Sequence, residues 1–274
     1  MVHIYYNPFA GAGNAAKLLK RVQDFLTHED KRFVLLPQDL ASVSEDTPIT
    51  VIGGDGTFNA LLNALPNPEK YRFILLSGGT SNSLYSQISP KEDPIVKLRR
   101  YFSAPKFRKI DLAEISVDGK SYRFVNEASA GFAAAIARSI EQRNTKHFFN
   151  RMKLNELAYI ATAFRCWVNE EPYFLSFCNN RRISGDLIPC VNADLSDGKI
   201  DCYELSCPRL RLPFELTRLV KAKQDKPSPF VTRTQVANAE WHFEKPLPVE
   251  IDGNPLPAAQ DIRISLYPEK IRVF

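Results

Sequence analysis

The sequence predicts a protein of mixed class in two domains: an α/β domain on a parallel sheet over residues 1–107, then an antiparallel β-sandwich over residues 108–270. Three observations predict it. Three of the early apolar runs break into glycine-containing turns, at Gly11, Gly53 and Gly78, the punctuation expected where strands deliver loops to one edge of a parallel sheet. From Phe107 the texture changes to short β-rich runs with turn signals between them, the pattern of a sandwich. The chain of 274 residues also exceeds the usual single domain and is long enough for two cores.

Residues 2–6, Val-His-Ile-Tyr-Tyr, read as the first strand, and Asn7-Pro-Phe-Ala-Gly-Ala-Gly13 as a turn opening onto a helix over residues 15–26. Residues 32–36 form the next strand. Only residues 37–48 separate it from the strand at 49–52, a connection short for a full helical crossover. A helix over 58–65 follows and stops at Pro66, and residues 71–76 give a further strand that ends in Ser77-Gly-Gly-Thr-Ser-Asn-Ser83. Asp93-Pro94 is an N-cap and first-turn pair for a helix through Tyr101. The basic residues from Lys97 to Lys109 read as a solvated face running into a linker.

The turn Gly53-Gly-Asp-Gly-Thr57 organises the chemistry. Its glycines can take positive φ and let another molecule approach the backbone, and the amides opening the next helix attract an anion. Asp55 in the middle would repel a bare phosphate, and makes sense as the holder of a magnesium ion or as the acceptor of a proton from an attacking hydroxyl. The structural alternative is a tight turn with Asp55 as a helix cap. Three such loops at one sheet edge argue for a nucleotide site.

In the second domain Asp118-Gly119 signals a two-residue hairpin between runs 110–117 and 120–126. Strands follow at 173–179, 200–205, 235–243, 247–251 and 262–267, with helices over 154–168 and 212–223. The second helix sets Arg218, Lys221 and Lys223 beside Leu216, Leu219 and Val220, compatible with lying on a membrane and more usual in a helix packed on a sheet.

The net charge of +5 is a mild bias toward anionic partners. No apolar run reaches spanning length and the first residues lack a signal-peptide pattern, so a cytoplasmic protein, soluble or peripheral, is expected. Five cysteines without a C-x-x-C pair suggest neither a zinc knuckle nor a disulfide framework. The scattered basic residues give no nucleic-acid motif, and none of the four histidines lies by a nucleophile elbow.

Asn7-Pro-x-Ala-Gly11, Gly53-Gly-Asp-Gly-Thr57 and Gly79-Thr-Ser-Asn82 together resemble the diacylglycerol kinase catalytic-domain family, which includes bacterial soluble lipid kinases and sphingosine kinases. Segments 110–112, 124–132, 192–201 and 251–253 extend the resemblance along nearly the whole chain. It implies a Rossmann-like domain of the phosphofructokinase kind, then a β-sandwich whose lipid site faces the cleft between them, with residues 271–274 returning to the first domain. It implies ATP and Mg2+ as cofactors and a lipid substrate at a membrane surface, with the protein peripheral on the inner face; a homodimer is an option. ATP would be held by Asn7, Gly11, Gly53, Gly54, Gly56, Thr57, Gly79, Thr80 and Asn82. Asp55 and Asp252 would be catalytic, and Asp197 and Asp55 would hold metal.

Two positions depart from the family pattern: Ser83 and Asn254 stand where members usually carry Asp and Glu. Asp252-Gly253 is also simply a good turn, so structure and catalysis both stand for Asp252. Three functions follow: a lipid kinase, a non-catalytic nucleotide- or lipid-binding protein on the same scaffold, and an NAD kinase, the last suggested by Gly-Gly-Asp-Gly-Thr and Asn126-Glu127.

Overall fold

The computed structural model describes residues 1–36, 40, 43–45, 47–79, 82–89, 92–142, 165–166, 173–182, 188–218 and 227–274. It divides into two compact units, Met1–Leu112 with Pro268–Phe274, and Ala113–Tyr267. The helix read over 154–168 lies outside the described residues except for 165–166, as does the second half of the one read over 212–223.

The first unit holds a six-stranded sheet in the order β2-β1-β3-β4-β14-β5. Its strands are β1 (Val2–Tyr6), β2 (Phe33–Leu35), β3 (Ile49–Gly53), β4 (Arg72–Ser77), β5 (Arg108–Ile110) and β14 (Ile271–Val273). The pairs β1–β2, β1–β3, β3–β4 and β4–β14 are parallel, and only β5 runs antiparallel, against β14. β3 is buried at every position, which is why its sequence is continuously apolar rather than alternating.

Helices cover both faces of this sheet. Helix α1 (Asn14–His28) presents Ala15, Leu18, Leu19, Val22 and Leu26 to Ile4, Ile52, Ile74 and Leu76, the 3.6-residue periodicity of an amphipathic helix. Helix α4 (Pro94–Ser103) joins the same layer through Leu98, and Asp93 caps it by accepting from the Ile95 and Val96 amides. On the opposite face, helix α2 (Asp55–Ala64) sets the Phe58 ring edge-on to Phe73 at 5.1 Å. Helix α2 begins three residues earlier than its apolar spacing suggests, because the glycine turn itself forms its first turn.

β14 is tied into the sheet beyond its own ladder: Phe274 N–H donates to the Phe73 carbonyl and Leu75 N–H to that of Phe274. Lys270 reaches the buried Asp111 carboxylate at 2.8 Å.

The second unit is built on one eight-stranded antiparallel sheet, β11-β10-β9-β8-β12-β13-β6-β7. Asp118 and Gly119 take φ of 50° and 80° between β6 (Ala113–Val117) and β7 (Lys120–Phe124), positive at both central residues as the predicted hairpin requires. Then come β8 (Glu127–Gly131), helix α5 (Phe132–Gln142), β9 (Tyr173–Cys178), β10 (Ile200–Ser206), helix α6 (Leu212–Thr217) and β11 (Val231–Val236).

The two strands read at 235–243 and 247–251 are one, β12 (Asn238–Ile251), which pairs with β13 (Asn254–Leu266) through register shifts between His242 and Val249. Pro246 and Pro248 cannot donate to the ladder, so the strand bulges there instead of ending. The first half of β12 leaves β8, and Trp241 lies edge-on to Phe177 of β9 at 4.8 Å. The sheet thereby bends over its own apolar face, enclosing residues from both of its halves such as Ile115, Phe124, Phe177, Ile200 and Ile264.

Candidate functional site

The parallel ends of β1, β3 and β4 deliver the three glycine loops. β1 has β2 on one side and β3 on the other, so the strand order reverses there, the place where open α/β sheets bind ligands. The loops meet with almost no side chains between them. A Cβ on Gly11, whose φ is +59°, would strike the Gly78 carbonyl; one on Gly79 would strike Gly54 Cα, and one on Gly54 would come within 3.0 Å of Gly79 Cα. Gly53 is constrained from a third side, against the Thr57 side chain, and Gly78 N–H donates to its carbonyl at 2.7 Å.

Side chains fasten this backbone. Asn7 Oδ1 accepts the Phe9 amide at 3.0 Å and so shapes the first loop. Asn82, at a φ of 49°, closes the third: its Nδ2 donates to the Gly79 carbonyl at 2.8 Å, and its Oδ1 accepts the Gly79 amide at 3.1 Å. Thr80 lies outside the described residues.

Asp55, at the first position of α2, reaches across to helix α3 (Ser83–Ile88), accepting the Ser83 amide at 2.7 Å and the Leu84 amide at 3.1 Å. It is a helix cap, as the structural alternative had it, but of the neighbouring helix rather than its own. Gly56 occupies the second position of α2, where an amide has no partner within the helix and favours an anion; the Thr57 amide donates to the Gly54 carbonyl at 3.0 Å. Ser83 is fully buried and takes part through its amide.

In the second unit Asp252 and Gly253 take φ of 47° and 80° in the hairpin between β12 and β13, so the turn reading of this dipeptide describes its conformation. The Asp252 carboxylate holds the β7–β8 connection, accepting from Val125 N–H at 3.2 Å, Asn126 N–H at 3.0 Å and Glu127 N–H at 3.1 Å. Asn254 is exposed beside it. Asp197 is exposed too, with its Oδ1 accepting the Lys199 amide at 3.0 Å.

Behind Asp252 lie Glu250, which sequence reasoning passed over, and Glu127, which it met only in the Asn126-Glu127 pair. Glu127 and Glu250 are both buried and hydrogen-bond each other. Ser176 donates to Glu127 at 3.0 Å, Ser129 to Glu250 at 2.6 Å, and Gly253 N–H to Glu250 at 2.7 Å. Burial pushes the Glu127 carboxyl well above the usual range, with the Glu250 charge adding to it, and burial also raises Glu250. Two carboxyls so placed hold one proton between them. Glu250 falls between Val249 and Ile251, and strand alternation would send it to solvent; only a central strand covered on both faces buries it.

The cradle of Gly11, Gly54 and Gly79 fits a nucleotide's phosphates by leaving backbone, not side chains, at the sheet edge. For a metal, the described residues contain no group of three or more His, Cys, Asp or Glu side chains placed around one point. The Asp55 carboxylate stands beside the cradle, and magnesium uses one or two protein carboxylates and completes its shell with phosphate and water. No helix among the described residues is long and apolar enough to cross a membrane.

Residues 1–115 match the family described as diacylglycerol kinase catalytic domain. A relative from Stenotrophomonas maltophilia, named probable lipid kinase YegS-like, is 25% identical over 247 residues, covering 82% of this chain and 77% of its own. The crystal structure of a diacylglycerol kinase from Bacillus anthracis shares the fold with a TM-score of 0.65 at 16% identity, over 99% of this chain and 95% of the other.

Proposed function

From the match of residues 1–115 to the diacylglycerol kinase catalytic domain family we propose that the protein is an ATP- and magnesium-dependent lipid kinase. Its reaction would transfer the γ-phosphate to a hydroxyl of a diacylglycerol-like or long-chain-base lipid at the cytoplasmic face of a membrane. The observation that carries the reading is the side-chain-free meeting of three loops, Gly11 on Gly78 and Gly54 on Gly79, with one carboxylate, Asp55, at its rim.

Phosphoryl transfer depends on positioning and charge neutralisation more than on covalent chemistry. The amides at the start of α2 and the glycine loops orient phosphate oxygens. Asn82 fixes the third loop so that it keeps its distance from Gly54. Asp55, held by the Ser83 and Leu84 amides, is pre-oriented to anchor magnesium or to take the acceptor's proton. Magnesium, when bound, neutralises charge on the phosphates.

The test is transfer of labelled γ-phosphate to a panel of diacylglycerols and long-chain bases, with Asp55→Asn alongside. Transfer that Asp55→Asn leaves unchanged would remove Asp55 from the chemistry, and phosphorylation of NAD in its place would reassign the acceptor.

One observation favours a second reading, a nucleotide- or lipid-binding protein without turnover. Asp252 already serves three backbone amides, and Asn254 next to it cannot act as a carboxylate base. Nucleotide binding without lipid turnover, with turnover appearing on Asn254→Glu, would establish this alternative.

A further inference from the structure

The segment that leaves β10 carries apolar residues on two opposite sides. After Cys207 the chain makes a 3-10 turn, Arg209–Arg211, and runs directly into α6 (Leu212–Thr217). Leu212 is buried, and with Leu216 it packs against Tyr203, Leu205 and Cys207; that pair, four residues apart, is the ordinary inward stripe. A second pair at the same spacing points outward: Leu210 is 77% exposed and Phe214 67%. Residues four apart on a helical path are neighbours, so the two side chains form one exposed apolar spot. An amphipathic helix needs apolar residues on one face only.

Within the described residues 208–218 the fully exposed charge is positive. Arg209 and Arg211 flank Leu210 in sequence, and Arg211 is exposed. The one acid of the segment, Glu215, is turned inward and buried, where it faces Arg218 at 3.7 Å. Pro208 and Pro213 fix φ on either side of Leu210, so little ordering is needed for it to dock.

We propose that Leu210 and Phe214 form a membrane-docking site that enters the headgroup region of an anionic lipid bilayer, with the exposed Arg211 against the lipid phosphates. Exposed apolar side chains beside a cation are what an anionic interface takes up: the chains gain from burial and the arginine from the surface potential. A protein partner would need negative charge of its own to match Arg211. The proposal explains how a lipid kinase would meet an acceptor that stays in its bilayer, and to that extent it rests on the function proposed above. Docking can nevertheless be measured without turnover.

The experiment is co-flotation of the full chain with vesicles of phosphatidylcholine alone or mixed with phosphatidylglycerol. The expected result is partition onto the mixed vesicles that weakens as salt is added. Leu210→Ser with Phe214→Ser should weaken it about tenfold or more, and Arg211→Gln by a few-fold on mixed vesicles only. Both apolar residues are exposed, so the circular-dichroism melt of the double variant should match that of the parent; if it does not, Leu210→Ser alone provides the comparison. Equal partition of parent and variants would overturn the proposal. So would a parent that sediments as a dimer which the double variant dissociates, since a second copy would then cover the spot. Vesicle binding without phosphorylation of any lipid would uphold the docking site while refuting the kinase reading.

Discussion

The Asp55 carboxylate accepts the Ser83 amide at 2.7 Å, so the acid at the centre of the glycine turn holds the loop that follows β4. Removing it therefore does two things at once. Asp55→Ala should cost about 1 kcal/mol as a lost helix cap, so its lost activity alone would not isolate chemistry. Asp55→Asn keeps one acceptor oxygen for α3. It should melt within a few degrees of the parent and still lose phosphoryl transfer, as checked by a thermal melt beside the transfer assay.

Gly79→Ala should lower stability by roughly 1–3 kcal/mol, the cost of overpacking, and should weaken nucleotide binding, because the new methyl would strike Gly54 Cα and Asn82 Oδ1. Gly198→Ala is the contrast. Its φ is +74° with nothing within 4 Å of a new Cβ, so only the left-handed backbone cost of roughly 1 kcal/mol applies. Urea midpoints and nucleotide titration of the two variants separate the loop contact from the backbone effect.

The shared proton between Glu127 and Glu250 makes stability depend on pH. Both carboxyls are raised above their ordinary value by burial, so the folded state binds more protons than the unfolded one. The contribution is complete below the ordinary glutamate range and is lost as the pH rises toward and past neutrality. Glu127→Gln offers an amide in place of the shared proton and keeps an oxygen for Ser176. It should flatten the decline in melting temperature between mildly acid and mildly alkaline buffer.

Lys97 has the opposite sign. It is buried, with its ammonium 5.9 Å from the centre of the Phe274 ring, and burial pushes its pKa down to about 8. The unfolded state therefore holds more protons between about 8 and the ordinary 10.5, and this contribution to stability rises with pH across that window. Lys97→Met should raise stability by about 1–3 kcal/mol at neutral pH and remove the alkaline rise, as denaturant midpoints at two pH values would show.

The parallel core of the first unit was legible because its strands are apolar throughout and its turns are written in glycine. Gly11, Gly54 and Gly79 were singled out for ligand approach, and their contacts add a second cause, since each also stands against another loop's backbone. β8 escaped notice because Glu-Ala-Ser-Ala-Gly has neither bulky residues nor alternation; it is a strand because its neighbours bury it. β11 is equally quiet, a mostly exposed edge strand of Thr, Arg and Gln. The membrane reading of the 212–223 helix set Leu216, Leu219 and Val220 beside its basic residues; Leu216 packs inward, and residues 219–223 lie outside the described residues. The exposed apolar pair begins earlier, at Leu210, before the helix that sequence periodicity could detect. The meeting of Glu127 with Glu250 was invisible for the same reason as β8: pairing across strands brings them together, and no local spacing encodes it.

The position of β14 has a consequence for synthesis. β5 is made roughly 160 residues before its sheet neighbour, and at translation rates of about 5–20 residues per second that interval lasts on the order of ten to thirty seconds. Through it the buried strand β4 has an unpaired edge at Phe73 and Leu75, while every strand of the antiparallel unit emerges as one uninterrupted block. The nascent chain thus has every strand of its second unit synthesised before Ile271–Val273, the strand that completes the sheet of its first.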